Sequence, residues 1–271
     1  MTRIVHLTDL HFGAADPVVT EALIRALNDK PPDLVVVSGD LTQGARRSEF
    51  RAARAFLRAC PAPTLCVPGN HDITPYRLDE RFFEPYRRWH EEICSETEPS
   101  WHDDIVAVQG LNTARRGGLY LDWSRGRVTN ARLATLLARL DALPPGRIRI
   151  VAAHHPLLPP EDLPQARTAG GADRALAAFA AHNVRLVLAG HLHRSYARLR
   201  TGNFETPVIL QGGSAISTRL RGEPNAFNRL NIEADGETKI EGLIWTGSVW
   251  ELDKTQRVNL APLRRPGPER E

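Results

Sequence analysis

Five short apolar runs in this chain are each followed, within three residues, by side chains that can bind a cation. Arg3–Thr8 leads into Asp9-Leu10-His11, and Asp33–Val37 into Gly39-Asp40. Thr64–Val67 leads into Gly69-Asn70-His71-Asp72, Ile148–Ala153 into His154-His155-Pro156, and Val184–Ala189 into Gly190-His191-Leu192-His193. Runs this short, continuously apolar and rich in Val and Ile read as strands buried on both faces, the habit of parallel sheets. Parallel strands need crossovers, and ligand sites gather where their carboxyl ends open. The pattern therefore restricts the chain to an α/β architecture with polar groups converging at one sheet edge.

The intervening segments supply the crossovers. Helical spacing covers Val18–Asn28, Ala45–Ala59, Asn130–Leu140 and Gly171–Ala181, and Arg77–Ser95 reads as a helix broken at Pro85. Ile105–Leu111 is a further strand. Beyond Gly190 the helices stop, and Ser195–Arg200, Val208–Gln211, Phe227–Glu233 and Lys239–Thr246 read as successive strands. An α/β unit followed by an antiparallel run fits one domain of two packed sheets with outer helices. That domain is expected over residues 1–250, with 251–271 as an extension whose Pro-containing end, from Ala261, is frayed.

Each of the five polar segments alone is ordinary, since Gly-Asp is common in turns and a single His is more often structural than ligating. Their joint occurrence, each at a strand end, is not. The set offers Asp9, His11, Asp40, Asn70, His154 or His155, His191 and His193, all oxygen and nitrogen donors without a thiolate. Such donors suit Mn, Fe, Zn or a mixture. Seven ligands exceed one ion's needs and fit two divalent ions sharing a carboxylate. Gly39, Gly69 and Gly190 precede ligands and allow sharp turns there.

The rest of the composition is less informative. The net charge is +3, and only three of the 35 basic residues are Lys. The arginines are scattered and do not form the continuous basic stripe that a nuclease would need. Cys60, Cys66 and Cys94 form neither a C-x-x-C pair nor an even-numbered disulfide framework. No apolar run approaches the ~20 residues of a membrane span, and no secretory h-region precedes Arg3. The expected location is the cytoplasm.

The order D-x-H, G-D, G-N-H-D, H, G-H-x-H from Asp9 to His193 resembles the calcineurin-like metallophosphoesterases, in particular the small bacterial phosphodiesterases grouped with cyclic nucleotide phosphodiesterases. The resemblance implies a four-layer αββα sandwich of two mixed β-sheets flanked by helices. It implies one ion on Asp9, His11, Asp40 and His193 and another on Asp40, Asn70, His154 and His191, with Asp40 bridging. It also implies that His71 faces the scissile phosphate with Asp72 orienting it, and that a hydroxide bridging the ions attacks phosphorus in line.

The implied activity is hydrolysis of a phosphodiester, a cyclic nucleotide such as cAMP being the leading substrate. Rival readings are a hydrolase of nucleotide-sugar lipids or phospholipid head groups at the inner membrane, a nuclease, and a non-catalytic scaffold, which should have lost ligands. Candidate substrate contacts are Arg115 and Arg116 in the 112–127 loop, beside Tyr120 and Trp123, and Arg219 and Arg221 in the 214–225 loop. The amphipathic Phe82–Trp89 stretch would serve a membrane partner, although such aromatics ordinarily pack a helix onto its domain. A homodimer through the C-terminal strands is left open.

Overall fold

The computed structural model describes residues 1–117, 124–198 and 206–263. Among these residues twelve strands form two six-stranded mixed sheets. The first has the order β12-β11-β10-β1-β2-β3 and the second β4-β5-β6-β7-β9-β8. In the first sheet β1 (Thr2–Leu7), β2 (Leu34–Ser38) and β3 (Thr64–Val67) run parallel. There β10 (Ala226–Ile232), β11 (Glu237–Trp245) and β12 (Trp250–Asn259) extend β1 antiparallel. In the second, β5 (Val106–Leu111), β6 (Ile148–Ala153), β7 (Val184–Ala189) and β9 (Val208–Gln211) are parallel. The short β4 (Ser100–His102) and β8 (Tyr196–Arg198) close its edges antiparallel.

Alternation along each strand builds the layers. Ile4, Leu34, Val36 and Leu65 of the first sheet pack against Val108, Ile150, Ala152, Leu186 and Leu188 of the second. The opposite faces take the helices. Val5, Leu7, Val35 and Val37 lie under α1 (Pro17–Asp29) and α2 (Arg47–Ala59), through Leu23, Leu27, Phe50 and Ala53. Val151, Ala153 and Val187 lie under α5 (Asn130–Asp141) and α6 (Ala172–Ala181), through Leu136, Leu140, Leu176 and Phe179. The expected αββα sandwich is present. Helix starts follow local chemistry: Asp16 accepts from the amides of Val18 and Val19 ahead of Pro17, and Thr129 caps α5 through the Arg132 amide.

The Arg77–Ser95 segment is two short helices, α3 (Leu78–Phe83) and α4 (Arg87–Glu92), separated around Pro85. Its aromatics divide: Trp89 is fully buried, whereas Phe83 is 85% exposed. Residues 251–259, expected as part of an extension, are the body of β12, paired with β11 from Glu237↔Asn259 to Trp245↔Trp250. That strand is exposed along most of its length, so no apolar alternation marks it. The expected frayed end lies, from residue 264, outside the described residues, as do Tyr120 and Trp123. Among the described residues no helix is long and apolar enough to cross a membrane.

Candidate metal centre

The carboxyl ends of β1, β2 and β3 meet those of β6 and β7 at one mouth, and backbone hydrogen bonds fix them together. The Asp9 amide donates to the Gly39 carbonyl (3.1 Å), that of His11 to Asp40 (3.0 Å) and that of Gly190 to His154 (2.9 Å). The His191 amide donates to Asp9 Oδ2 (2.9 Å), and the His71 amide to Asp40 Oδ1 (2.9 Å). Every predicted ligand segment thus reaches one place, although the segments span positions 9 to 193.

The side chains present their free donor atoms inward. His11 Nε2 lies 3.6 Å from Asp9 Oδ1 and 3.8 Å from Asp40 Oδ2, and His193 Nε2 lies 3.5 Å from Asp9 Oδ1. His154 Nε2 lies 3.3 Å from Asp40 Oδ2 and 3.2 Å from Asn70 Oδ1. Asp40 Oδ2 is therefore shared by His11 on one side and His154 on the other. Each of these rings turns Nδ1 to the protein: His154 toward the Ser38 carbonyl (2.9 Å), His11 toward the Thr42 carbonyl (3.3 Å), His193 toward the Ser214 hydroxyl (2.5 Å). Outer partners of this kind fix the tautomer and aim Nε2 at a cation. His155 is different. Its Nδ1 meets the Thr113 hydroxyl and its Nε2 the Ser124 carbonyl, both at 2.8 Å, so both ring nitrogens are engaged by protein.

Buried carboxylates and imidazoles shift one another's ionisation in this interior. Burial alone would raise the Asp9 carboxyl, yet His11, His154 and His193 bring it below the usual carboxylate range. Burial likewise opposes ionisation of Asp40, but His154 and His11 hold it well below that range. Reciprocally, burial disfavours charge on His154, but Asp40 and Asp9 raise it to about 9. Burial pushes His191 and His193 down to about 4, leaving neutral imidazoles, the form that ligates metal.

The backbone is held in an unusual state here. Among the described residues seven non-glycine residues have positive φ, and five are Asp9, His11, Asp40, His191 and His193, at 49° to 78°. Each such residue costs about 1–2 kcal/mol. Two glycines are dictated by close approach. A Cβ at Gly39, where φ is +93°, would fall 2.4 Å from the His154 ring, and one at Gly69 would fall 2.1 Å from Asp40 Oδ1.

His71 stands beside the cluster, its ring 4.9 Å from that of His11, with Nδ1 donating to the Gln43 carbonyl at 2.7 Å. Asp72 does not orient this ring. Its buried carboxylate instead accepts from the amides of Leu41, Thr42 and Gly69 and from the Thr42 hydroxyl, at 2.9–3.2 Å. A neighbour in sequence points away because the single 3₁₀ turn Asn70–Asp72 sends the two side chains in different directions. Burial and the charge of Asp40 push the Asp72 carboxyl up to about 6. Arg219 reaches the site, with Nη1 at 3.4 Å from His71 Nε2 and 3.1 Å from Gln43 Oε1. Arg221 is close enough to depress His191 and His193 electrostatically, after burial. Arg115 and Arg116 instead line a separate cavity with Tyr86. Gln43, Thr42, Ser38 and Ser214 went unnoticed in the sequence, because most act through backbone carbonyls or single hydroxyls that leave no pattern.

The donor set fits divalent cations. Asp9 Oδ1 and His11 Nε2 are buried without any hydrogen-bond partner, and oxygen and nitrogen donors from Asp9, His11 and His193, and from Asp9, Asp40 and His154, lie within 4.8 Å of one another. Metal–donor bonds of about 2.0–2.2 Å bring neighbouring ligands of one ion to about 3–3.6 Å from each other, near the 3.3–3.8 Å separations found here.

Comparison with known proteins agrees. The chain is 25% identical over 247 residues, 86% of it and 88% of the relative, to a probable cyclic nucleotide phosphodiesterase of Synechococcus sp.. It is 31% identical over 156 residues to a glycerophosphodiester phosphodiesterase of Enterobacter lignolyticus, covering 56% of this chain and half of that protein's length. In fold it is similar to a purple acid phosphatase from yellow lupin seeds, with a TM-score of 0.65, 15% identity, and coverage of 95% of this chain and 53% of that one. The family profile described as calcineurin-like phosphoesterase matches residues 2–195, across all five ligand segments, and the chain belongs to that family.

Proposed function

We propose that the chain is a small-molecule phosphodiesterase working with two divalent cations. The observation that carries this reading is Asp40 Oδ2, a buried carboxylate oxygen shared between His11 at 3.8 Å and His154 at 3.3 Å. Asp9, His11, Asp40 and His193 would hold one ion, and Asp40, Asn70, His154 and His191 the other, drawn from Mn, Fe or Zn. Bound, the cations supply Lewis-acid polarisation of the phosphoryl group and a nucleophilic water at neutral pH.

The remaining work belongs to side chains. His71, fixed through Nδ1 by the Gln43 carbonyl, has Nε2 free of any carbonyl or carboxylate among the described residues, and in its doubly protonated form it would pass the Nε2 proton to the leaving oxygen. Arg219 places a guanidinium beside that nitrogen and meets a non-bridging phosphoryl oxygen. Asp72 holds the turns carrying Asp40 and Asn70 against each other. The substrate class is a cyclic nucleotide or glycerophosphodiester, supported by the names of the two relatives, and the site of action is the cytoplasm.

The test is a phosphoester panel on protein loaded with a single defined metal. It compares cyclic nucleotides, glycerophosphodiesters, nucleotide-sugar lipids, single-stranded DNA and monoesters, alongside bis-p-nitrophenyl phosphate. Turnover of a small diester that falls at least 100-fold in both Asn70→Ala and His71→Ala supports the reading. Wild-type turnover in both variants, or preference for DNA or monoesters, overturns it.

A further inference from the structure

Four arginines, Arg115, Arg116, Arg127 and Arg132, line one open cavity of about 420 Å³ with Tyr86 and Thr129, and among the described residues no carboxylate lines it. Elsewhere the protein pairs many of its arginines with acids, as in Arg88–Glu80 and Arg194–Glu223. Here Arg116 donates to the Phe82 carbonyl (3.2 Å) and Arg132 to the carbonyls of Asn112 and Ala114. Carbonyl acceptors position a guanidinium without cancelling its charge. Arg115 and Arg127 make no side-chain hydrogen bond or ion pair among the described residues. The first turn of α5 adds to the same sign. Thr129 is its N-cap, Arg132 lies in that turn, and the turn holds no acidic residue. Like charges gathered this way repel unless an anion joins them.

We propose that this cavity is a second anion site, which takes a phosphate monoester dianion. Guanidinium forks match phosphoryl oxygens two at a time, and the helix N-terminus adds amide donors. Its volume lies within the range of small-molecule pockets, and Tyr86 offers an aromatic wall for an organic group on the ester. The site shares no lining residue with the metal centre. Thr113 stands between them, its hydroxyl on His155 Nδ1 and its carbonyl accepting from the Arg127 amide at 2.8 Å. Hydrolysis of a diester releases a monoester of this class, so the site would sense product. That connection rests on the function proposed above; the anion site itself does not.

The test is calorimetric titration of the full chain after chelator treatment, which removes phosphate binding at the metal centre. The probes are inorganic phosphate, adenosine 5′-monophosphate and, as uncharged control, adenosine. Arg115→Gln and Arg127→Gln are tested singly and together, since neither guanidinium has a side-chain partner among the described residues, with folding verified by circular dichroism. Binding of either anion that weakens at least 10-fold in the double variant supports the site. Tighter binding of the nucleotide than of phosphate assigns the organic group to the Tyr86 wall, and equal binding assigns recognition to the phosphoryl group alone. No anion binding by the chelated protein, a loss of less than 10-fold in the folded double variant, or adenosine binding as tightly as its monophosphate overturns it. Loss of diesterase activity in the panel above leaves this titration unaffected, so the two readings fail separately.

Discussion

Asp9 Oδ1 and His11 Nε2 lie 3.6 Å apart in the interior, shielded from solvent, and neither has a hydrogen-bond partner. Burial opposes charge on His11, but Asp9 and Asp40 raise its pKa, so positive charge is favoured between the two atoms. A cation coordinated by both supplies more of it than a proton does. Removing metal by chelation should therefore lower the melting temperature. At a metal concentration 1,000 times Kd the linkage is about 4 kcal/mol, which for a chain of this size corresponds to a drop on the order of 10 °C. Scanning calorimetry before and after chelation, with Mn or Zn restored, checks this. An unchanged melting temperature would contradict it.

Asp72 ties three amides and one hydroxyl from two loops to a single carboxylate. Asp72→Asn places an NH₂ where an acceptor stood and leaves buried donors unmatched, each costing about 1–3 kcal/mol. The expected result is metal affinity reduced about 10- to 100-fold, the usual effect of losing an outer partner. Titration with a competing chelator measures it.

Gly69→Ala should damage the site from a position that carries no donor. The added Cβ would meet Asp40 Oδ1 at 2.1 Å and the Asp40 amide nitrogen at 2.5 Å, so the carboxylate must move. We expect a stability loss of about 1–3 kcal/mol with weakened metal binding. Gly146→Ala is the control. Its φ is +87°, unlike that of Gly69, and nothing lies within 4 Å of its Cβ, so it should lose a little stability and no metal.

Arg219→Gln should lower kcat/KM about 10- to 100-fold toward a small phosphodiester, equivalent to about 1.4–2.7 kcal/mol of transition-state stabilisation. Metal content should be unchanged, because Arg219 touches Gln43 and His71 and no candidate ligand. Equal losses of metal and activity would show that the arginine acts on structure.

His6 lies fully buried, with Nε2 on the Ser38 hydroxyl at 2.8 Å, and burial pushes it down to about 3. Above pH 6.5 the ring is neutral whether the chain is folded or not, and its full contribution to stability is present. Below that value the unfolded chain takes up a proton that the folded chain refuses, so stability falls until about pH 3. His6→Gln should flatten this acid slope by one proton, about 1.4 kcal/mol per pH unit. Urea unfolding at pH 7 and pH 4.5 would detect the difference.

The parallel core and the ligand segments were legible because they depend on local pattern. Val35 and Val37 sit in a run too apolar for a surface strand, and Asp40 follows where β2 ends. β12 was not legible, since Trp250–Asn259 is exposed and carries charges where alternation would have marked a strand. The partner of His71 could not be read either. Asp72 is adjacent in sequence, yet the ring is held by the carbonyl of Gln43, which is 28 positions earlier and indistinguishable by residue type. The division of the candidate arginines, Arg219 at the metal centre and Arg115 in another cavity, follows from loop paths that composition does not encode.

The first sheet carries four of the seven candidate ligands and the second three, and this sets when the candidate site comes into being. Asp9, Asp40 and Asn70 emerge early in synthesis, while His191 follows Asp9 by 182 positions. Until that late strand docks, the nascent chain exposes carboxylates without the imidazoles that complete their surroundings. Cation capture cannot then nucleate folding. It comes after the long-range pairing of both halves, and a fully loaded centre certifies that the chain has reached its finished topology.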